Sequence, residues 1–239
     1  MKSLERVNDS VLGRWERPTL VWLAERIPVK VVPDHLTAFG VLGALLSATG
    51  YVLSRGSLLW LWLACAGLWI NWFGDSLDGT LARLRRIERP RYGFFIDHTC
   101  DLFCQSTTFL ALGVSPLAHF GVACLGLITF LMAFVYTLIT AHARATMRIT
   151  YFFFGPTEIR ALLFLGNALV LAVGLVDLRA WLPGLSRFGV ISIHDLAILL
   201  LSAAGVTVLA LLAVADARAV ALEDPPPAPR PLDSPPAPR

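Results

Sequence analysis

The stretch from Asn71 to Asp101 reads NWFGDSLDGTLARLRRIERPRYGFFIDHTCD. Four aspartates stand in it as two pairs on either side of a short arginine-rich loop: Asp75 with Asp78, and Asp97 with Asp101. Spacings of three and four residues place the members of each pair on one face of a helix. Because a short loop joins antiparallel helices, the sequence predicts a helical hairpin whose four carboxylates lie at similar depth and face each other.

The composition on both sides of this hairpin is that of a membrane protein. The 239 residues are 56% hydrophobic and only 15% charged, whereas soluble domains average about 25% charged residues. This excludes an ordinary soluble enzyme, a disordered chain and a protein that binds nucleic acid. A helix needs about 20 apolar residues to cross a bilayer, and six stretches meet or approach that length: 35–54, 57–80, 94–116, 118–142, 160–177 and 190–215. We predict an all-α integral membrane protein with six transmembrane helices.

The basic residues predict the orientation of these helices. Seventeen of the 20 Lys and Arg residues lie on one side, before the first span, after the last span or in the loops of that side. Since basic residues concentrate in cytoplasmic loops, both termini and the aspartate pairs are expected to face the cytoplasm.

Three regions follow from the pattern along the chain. Residues 1–34 mix charges with apolar side chains, and Trp15 and Trp22 share one helical face, which predicts an amphipathic helix lying on the cytoplasmic membrane surface. Residues 35–222 form the transmembrane domain. Residues 223–239 are a proline-rich tail that we expect to be disordered.

Four carboxylates at one place repel each other strongly unless cations neutralise them. Two divalent cations match four carboxylates, and oxygen ligands suit Mg²⁺ or Mn²⁺. Two such ions also clamp a phosphoryl group that undergoes displacement. Gly79, Ala82 and Gly93 leave room for a phosphorylated ligand, and Arg83 can pair with phosphate oxygens. Taken singly, such small residues are also common in helix packing within membranes.

The pattern Asp75-x2-Asp78-Gly79-x2-Ala82-Arg83-x9-Gly93-x3-Asp97-x3-Asp101 resembles the signature of the CDP-alcohol phosphatidyltransferase family. The likeness extends over residues 5–220. It implies a phospholipid-synthesising transferase of a bacterial-type inner membrane, in which an alcohol hydroxyl attacks the β-phosphorus of a CDP-linked donor and CMP is released. It also implies a homodimer.

The resemblance further implies a role for each residue of the pattern. Asp75, Asp78 and Asp97 would hold the metal ions, and Asp101 would be both a metal ligand and the general base. The positions expected to bind the cytidine diphosphate group are Asp78, Gly79, Ala82, Arg83 and Gly93.

The identity of the donor and of the acceptor alcohol stays open at this point. His98, which follows Asp97, resembles the branch that transfers from CDP-choline or CDP-ethanolamine to diacylglycerol, although the imidazole would lie one residue off the carboxylate face. Arg144, Arg148 and Arg160 suit a phosphorylated acceptor, or they reflect the ordinary cytoplasmic bias of basic residues. These arginines and the shortness of the chain favour CDP-diacylglycerol as donor.

Two other classes of function could also use these residues. A cation transporter would use the aspartates as its ion site, but such sites usually lie near the midplane on broken helices, and these carboxylates lie towards one end of their spans. A protein that binds a CDP-lipid without catalysis would not need every residue of the pattern, whereas this sequence contains them all.

Overall fold

The computed structural model describes residues 5–7, 13–144, 146–148, 156–178, 184 and 192–226. Its helices in chain order are α1 Gly13–Ala24, α2 Pro33–Leu53, α3 Leu61–Leu84, α4 Pro90–Val114, α5 Phe120–Arg144, α6 Pro156–Val173 and α7 Ile193–Glu223. A short 3-10 turn, Leu58–Trp60, precedes α3. The described chain is therefore helical almost throughout, as the composition predicts.

One small element departs from the all-α prediction. Strands β1, Glu5–Val7, and β2, Thr146–Arg148, pair in parallel, with Glu5 opposite Thr146. Each strand has three residues, which is too short for the alternation of apolar and polar residues that identifies a strand in sequence. The pairing connects the N-terminal segment to the chain that follows α5.

Three of the described helices are long and apolar enough to cross a membrane: α2, α5 over Phe120–Ala143, and α7. Helices α3 and α4 have 24 and 25 residues, which is long enough, but each carries an aspartate pair and further polar residues. Helix α6 has 18 residues and includes Glu158 and Arg160. Membrane-embedded helices are thus present, while the count of six spans stays a prediction.

Glycines let α2 and α3 approach each other at backbone distance. A Cβ added at Gly67 would lie 2.6 Å from the carbonyl oxygen of Gly43, and one added at Gly74 would lie 2.6 Å from the Cα of Gly40. Atoms of larger side chains would not fit there, so glycine is required for this packing. The contact fixes the position of α3 at Asp75, the residue after Gly74.

The N-terminal helix α1 packs on the same end of α3. Its Leu20 and Ala24 are buried in a cluster with Leu77 and Leu81 of α3. The guanidinium of Arg85 donates hydrogen bonds to carbonyl oxygens of the segment between α1 and α2, at distances of 2.9 and 3.0 Å for two of them. The predicted N-terminal amphipathic segment therefore contains a helix that is attached to the end of the bundle carrying the aspartates.

The described residues cover only part of the N-terminal segment and of the proline-rich tail that the sequence predicts. Helix α7 ends at Glu223, where the predicted tail begins, and residues 224–226 are exposed. The rest of that tail, residues 227–239, lies outside the described residues, as do residues 1–4 and 8–12 of the N-terminal segment.

Candidate active site

Three of the four aspartates converge between α3 and α4. Asp75, Asp97 and Asp101 each offer a carboxylate oxygen, and these oxygens lie within 4.8 Å of one another. All three side chains are partly buried. Residues 85–89 connect the two helices, and α2 packs against both of them. Asp75 of α3 thus meets Asp97 and Asp101 of α4 through their side chains.

The fourth aspartate, Asp78, faces a different neighbour. Thr37 of α2 donates its hydroxyl to Asp78 Oδ2 at 2.6 Å, and the backbone N–H of Gly79 donates to Asp78 Oδ1. A step of three residues turns a helix by about 300°, so Asp78 lies roughly 60° around α3 from Asp75. This offset directs its carboxylate towards α2 instead of the centre of the cluster.

Arg160 of α6 is the counter-ion of the cluster. Its Nη2 lies 2.8 Å from Asp75 Oδ2 and 4.0 Å from Asp101 Oδ1. The residue is only 5% exposed, and its Nε has no hydrogen-bond partner among the residues the structure describes. The sequence suggested Arg160 for the acceptor headgroup, whereas the structure places it against the aspartates.

The donor set fits a divalent cation. One guanidinium cannot balance three neighbouring carboxylates, so net negative charge remains at the cluster. Hard carboxylate oxygens are the ligands that Mg²⁺ and Mn²⁺ prefer. Asp75, Asp97 and Asp101 could therefore hold such an ion, with Asp78 beside them on α3.

Two glycines of the pattern lie one helical turn from aspartates of this cluster, Gly79 from Asp75 and Gly93 from Asp97. A Cβ added at Gly93 would meet no atom within 4 Å, and the atoms nearest to one added at Gly79 belong to the Arg83 guanidinium, with Nη1 at 3.2 Å. Arg83 itself donates from Nη2 to Thr80 Oγ1 at 3.2 Å. Ala82 is partly exposed on the same end of α3. Packing does not demand glycine at Gly79 or Gly93.

His98 packs against α5. Its ring stacks on Phe94 with centroids 4.1 Å apart and lies 5.7 Å from the Phe134 ring. Its Nδ1 is 2.9 Å from the Phe94 carbonyl oxygen and 3.5 Å from Asp97 Oδ2. These aromatic contacts agree with the packing interpretation, although the imidazole also touches one aspartate of the cluster.

Arg144 and Arg148, the other two arginines predicted for the acceptor, end α5 and β2 respectively. Their side chains lie outside the described part of the chain. Of the three arginines predicted for the acceptor, the structure therefore describes the side-chain contacts of Arg160.

Sequence reasoning missed two residues that contact the site helices. Thr37 lies near the start of the predicted first span, and its hydroxyl donates a hydrogen bond to Asp78 from α2. Glu16 of α1 accepts hydrogen bonds from Trp72 and Ser76 of α3 and lies beside Thr157 of α6. Both contacts join residues more than 40 positions apart, so no local spacing indicates them.

Comparison with known proteins gives the family of this arrangement. The sequence profile of CDP-alcohol phosphatidyltransferase matches residues 30–210, which include all four aspartates. The chain is 33% identical over 132 residues to Cholinephosphotransferase 1 of Xenopus laevis, which covers 51% of this chain and 32% of that protein. It is 33% identical over 124 residues to Cholinephosphotransferase 1 of Gallus gallus, which covers 47% of this chain and 36% of that protein. The chain thus spans about a third of the length of these relatives. The match over most of its length shows that the chain belongs to the CDP-alcohol phosphatidyltransferase family.

Proposed function

We propose that the chain is an enzyme of phospholipid synthesis that transfers a substituted phosphate group from a CDP-linked donor to an alcohol and releases CMP. The observation that carries this proposal is the convergence of carboxylate oxygens of Asp75, Asp97 and Asp101 from two helices, within 4.8 Å of one another, one helical turn from the open space at Gly93. Carboxylates at membrane depth are costly and are rarely kept without a function.

The reaction is a displacement at phosphorus. The oxygen of the acceptor hydroxyl bonds to the β-phosphorus, the bond from that phosphorus to the oxygen of CMP breaks, and the hydroxyl proton goes to the Asp101 carboxylate. Asp101 is a suitable base because it belongs to the cluster while its side chain keeps 25% exposure, so an acceptor can reach it. Two Mg²⁺ or Mn²⁺ ions bound by Asp75, Asp78, Asp97 and Asp101 would neutralise charge on the phosphates.

The nucleotide half of the donor lies, in this proposal, along the exposed end of α3. Gly79, Ala82 and Gly93 let the diphosphate approach the helices closely, and Arg83 pairs with a phosphate oxygen through its guanidinium. Thr37 supports the same surface by holding Asp78.

We propose a CDP-aminoalcohol as donor and diacylglycerol as acceptor. The relatives named above carry the name cholinephosphotransferase, and Arg160, which had favoured a phosphorylated acceptor, is already paired with Asp75. The second candidate is CDP-diacylglycerol with a phosphorylated or small polar alcohol. It is supported by Arg144, Arg148 and Arg160 on the side that the basic residues assign to the cytoplasm.

The membrane arrangement completes the proposal. Six spans with both termini and the site on the cytoplasmic side of a bacterial-type inner membrane would let acyl chains stay in the bilayer while the reacting groups meet the aspartates. Helix α1 would lie at the cytoplasmic surface, residues 35–222 would form the catalytic domain, and a homodimer would be the working form.

The test is CMP release by the purified full chain in mixed micelles with Mg²⁺. One arm offers CDP-choline or CDP-ethanolamine with diacylglycerol, and the other offers CDP-diacylglycerol with glycerol 3-phosphate, serine, inositol or inositol phosphate in turn. An Asp101→Asn variant and EDTA-treated protein are the controls. CMP release that depends on the addition of one particular acceptor identifies both the donor and the acceptor.

Two results would instead favour the other classes of function. Nucleotide binding without release in either arm would indicate a non-catalytic CDP-lipid-binding protein. Divalent-cation flux into vesicles without turnover would indicate a transporter.

A further inference from the structure

Three helices meet at the carboxylate of Glu16 in α1. Trp72 of α3 donates its indole N–H to Glu16 Oε1 at 2.6 Å, and Ser76 of the same helix donates its hydroxyl to that oxygen at 3.0 Å. Thr157 of α6 places its hydroxyl 3.3 and 3.4 Å from the two carboxylate oxygens. A carboxylate forms stronger hydrogen bonds than a neutral acceptor does, so Glu16 connects α1, α3 and α6.

The residues that Glu16 contacts adjoin the candidate active site on both sides. Ser76 follows Asp75 directly on α3. Thr157 stands three residues before Arg160, in the first turn of α6, so the two share a face of that helix. Because Arg160 Nη2 lies 2.8 Å from Asp75 Oδ2, the contacts close a ring that runs from Glu16 to α3, across the ion pair to α6, and back to Glu16.

We propose that Glu16 is a positioning residue that fixes the axial position of α6 relative to α3. It thereby positions Arg160 against the aspartate cluster. This inference rests on the proposed function. Near the aspartates, the hydrogen bonds between Glu16 and Thr157 join α1 to α6. Loss of the carboxylate removes the hydrogen bonds that link the first turn of α6 to Trp72 and Ser76 through Glu16. The buried contacts of Leu20 and Ala24 with α3 remain.

The variant Glu16→Ala therefore lowers kcat for CMP release and leaves the KM for the CDP-linked donor near the wild-type value. A displacement of about 1 Å at reacting groups costs up to roughly 100-fold in rate, so we expect a 10- to 100-fold loss. Glu16→Gln keeps an oxygen acceptor in the same place and restores most of kcat. Glu25→Ala, which removes an exposed carboxylate just after α1, is the matched control and leaves both parameters unchanged.

A double-mutant cycle separates positioning from a loss of general stability. If Glu16 acts through Arg160, then Glu16→Ala adds little to the kcat loss of Arg160→Lys. The Arg160→Lys variant already lacks the guanidinium that Glu16 positions. The same cycle is measured without turnover as the Mn²⁺ dissociation constant, by electron paramagnetic resonance. Both single variants change that dissociation constant in the same direction, each by at least about threefold, and the double variant changes it no further.

Several results would overturn the inference. These are a wild-type kcat in folded Glu16→Ala, a kcat loss that Glu16→Gln does not restore, or fully additive effects in both cycles. If Glu16→Ala does not fold, Thr157→Val takes its place in each measurement, with Thr157→Ser as the variant that retains the hydroxyl. If the wild type releases no CMP while the Mn²⁺ cycle shows coupling, the proposed function fails and the role of Glu16 stands.

Discussion

Replacing Gly74 by alanine tests whether the close approach of α2 and α3 sets the site. A Cβ at position 74 would lie 2.6 Å from the Cα of Gly40, whereas carbon atoms pack at about 3.5–4.0 Å. The helices must therefore separate locally by about 1 Å. Overpacking typically costs about 1–3 kcal/mol, and we expect the upper end of that range because the obstructing atoms belong to backbone and cannot rotate away.

The same displacement moves Asp75, the next residue, away from Asp97 and Asp101. A shift of about 1 Å can reduce the rate by roughly 100-fold, so Gly74→Ala loses both thermal stability and CMP release. The assays are thermal unfolding in detergent, followed by the loss of the monodisperse size-exclusion peak, and CMP release in mixed micelles. Stability and activity equal to wild type would refute this account of the packing.

Gly93→Ala is the matched comparison, since nothing lies within 4 Å of a Cβ at that position. Its stability should be equal to or above that of the wild type, because alanine favours an exposed helical position by up to about 1 kcal/mol over glycine. If the diphosphate passes over Gly93, the added methyl group raises the KM for the CDP-linked donor by about tenfold, equivalent to about 1.4 kcal/mol of binding. An unchanged KM would remove Gly93 from the donor site.

Four further substitutions test individual side chains. Asp101→Asn should abolish CMP release and leave cytidine nucleotide binding largely in place, measured by calorimetry with Mg²⁺, and wild-type turnover would exclude Asp101 as the base. Thr37→Val removes the donor to Asp78 and should raise the donor KM about tenfold; no change would show that this hydrogen bond does not matter for binding. His98→Phe should keep kcat within about threefold because the ring packs between aromatic neighbours, and a loss beyond 100-fold would restore a chemical role for the imidazole. Arg160→Lys should lower kcat more than it raises the acceptor KM, whereas the reverse would assign Arg160 to the acceptor headgroup.

The central hairpin could be predicted from sequence because its information is local. The spacing within each aspartate pair and the short loop between the pairs predict that carboxylates of the two helices meet, as those of Asp75, Asp97 and Asp101 do. The spacing does not indicate the contact of Asp78 with α2, where a three-residue step leaves an angular offset and Thr37 donates a hydrogen bond to the carboxylate. A spacing of three predicts a shared side of the helix but not which neighbour each residue meets.

The partners of the cluster could not be predicted, because they come from distant parts of the chain. Arg160 reaches Asp75 across 85 positions and Glu16 reaches Thr157 across 141 positions. In the sequence, Arg160 looks like any basic residue near a cytoplasmic helix end. The predicted fifth span begins at Arg160, whereas α6 begins at Pro156, where proline suits the first turn of a helix. The extra turn carries Thr157 and buries Arg160.

The pairing of Arg160 also bears on which acceptor the site suits. A phosphorylated acceptor that used this guanidinium would have to draw it from Asp75, 2.8 Å away, although Arg160 is only 5% exposed. Separating a buried pair leaves a carboxylate without its counter-ion, which is costly. The hydroxyl of the proposed acceptor, diacylglycerol, carries no charge and so does not need this guanidinium as a partner. The geometry of α6 therefore agrees with the proposed uncharged acceptor.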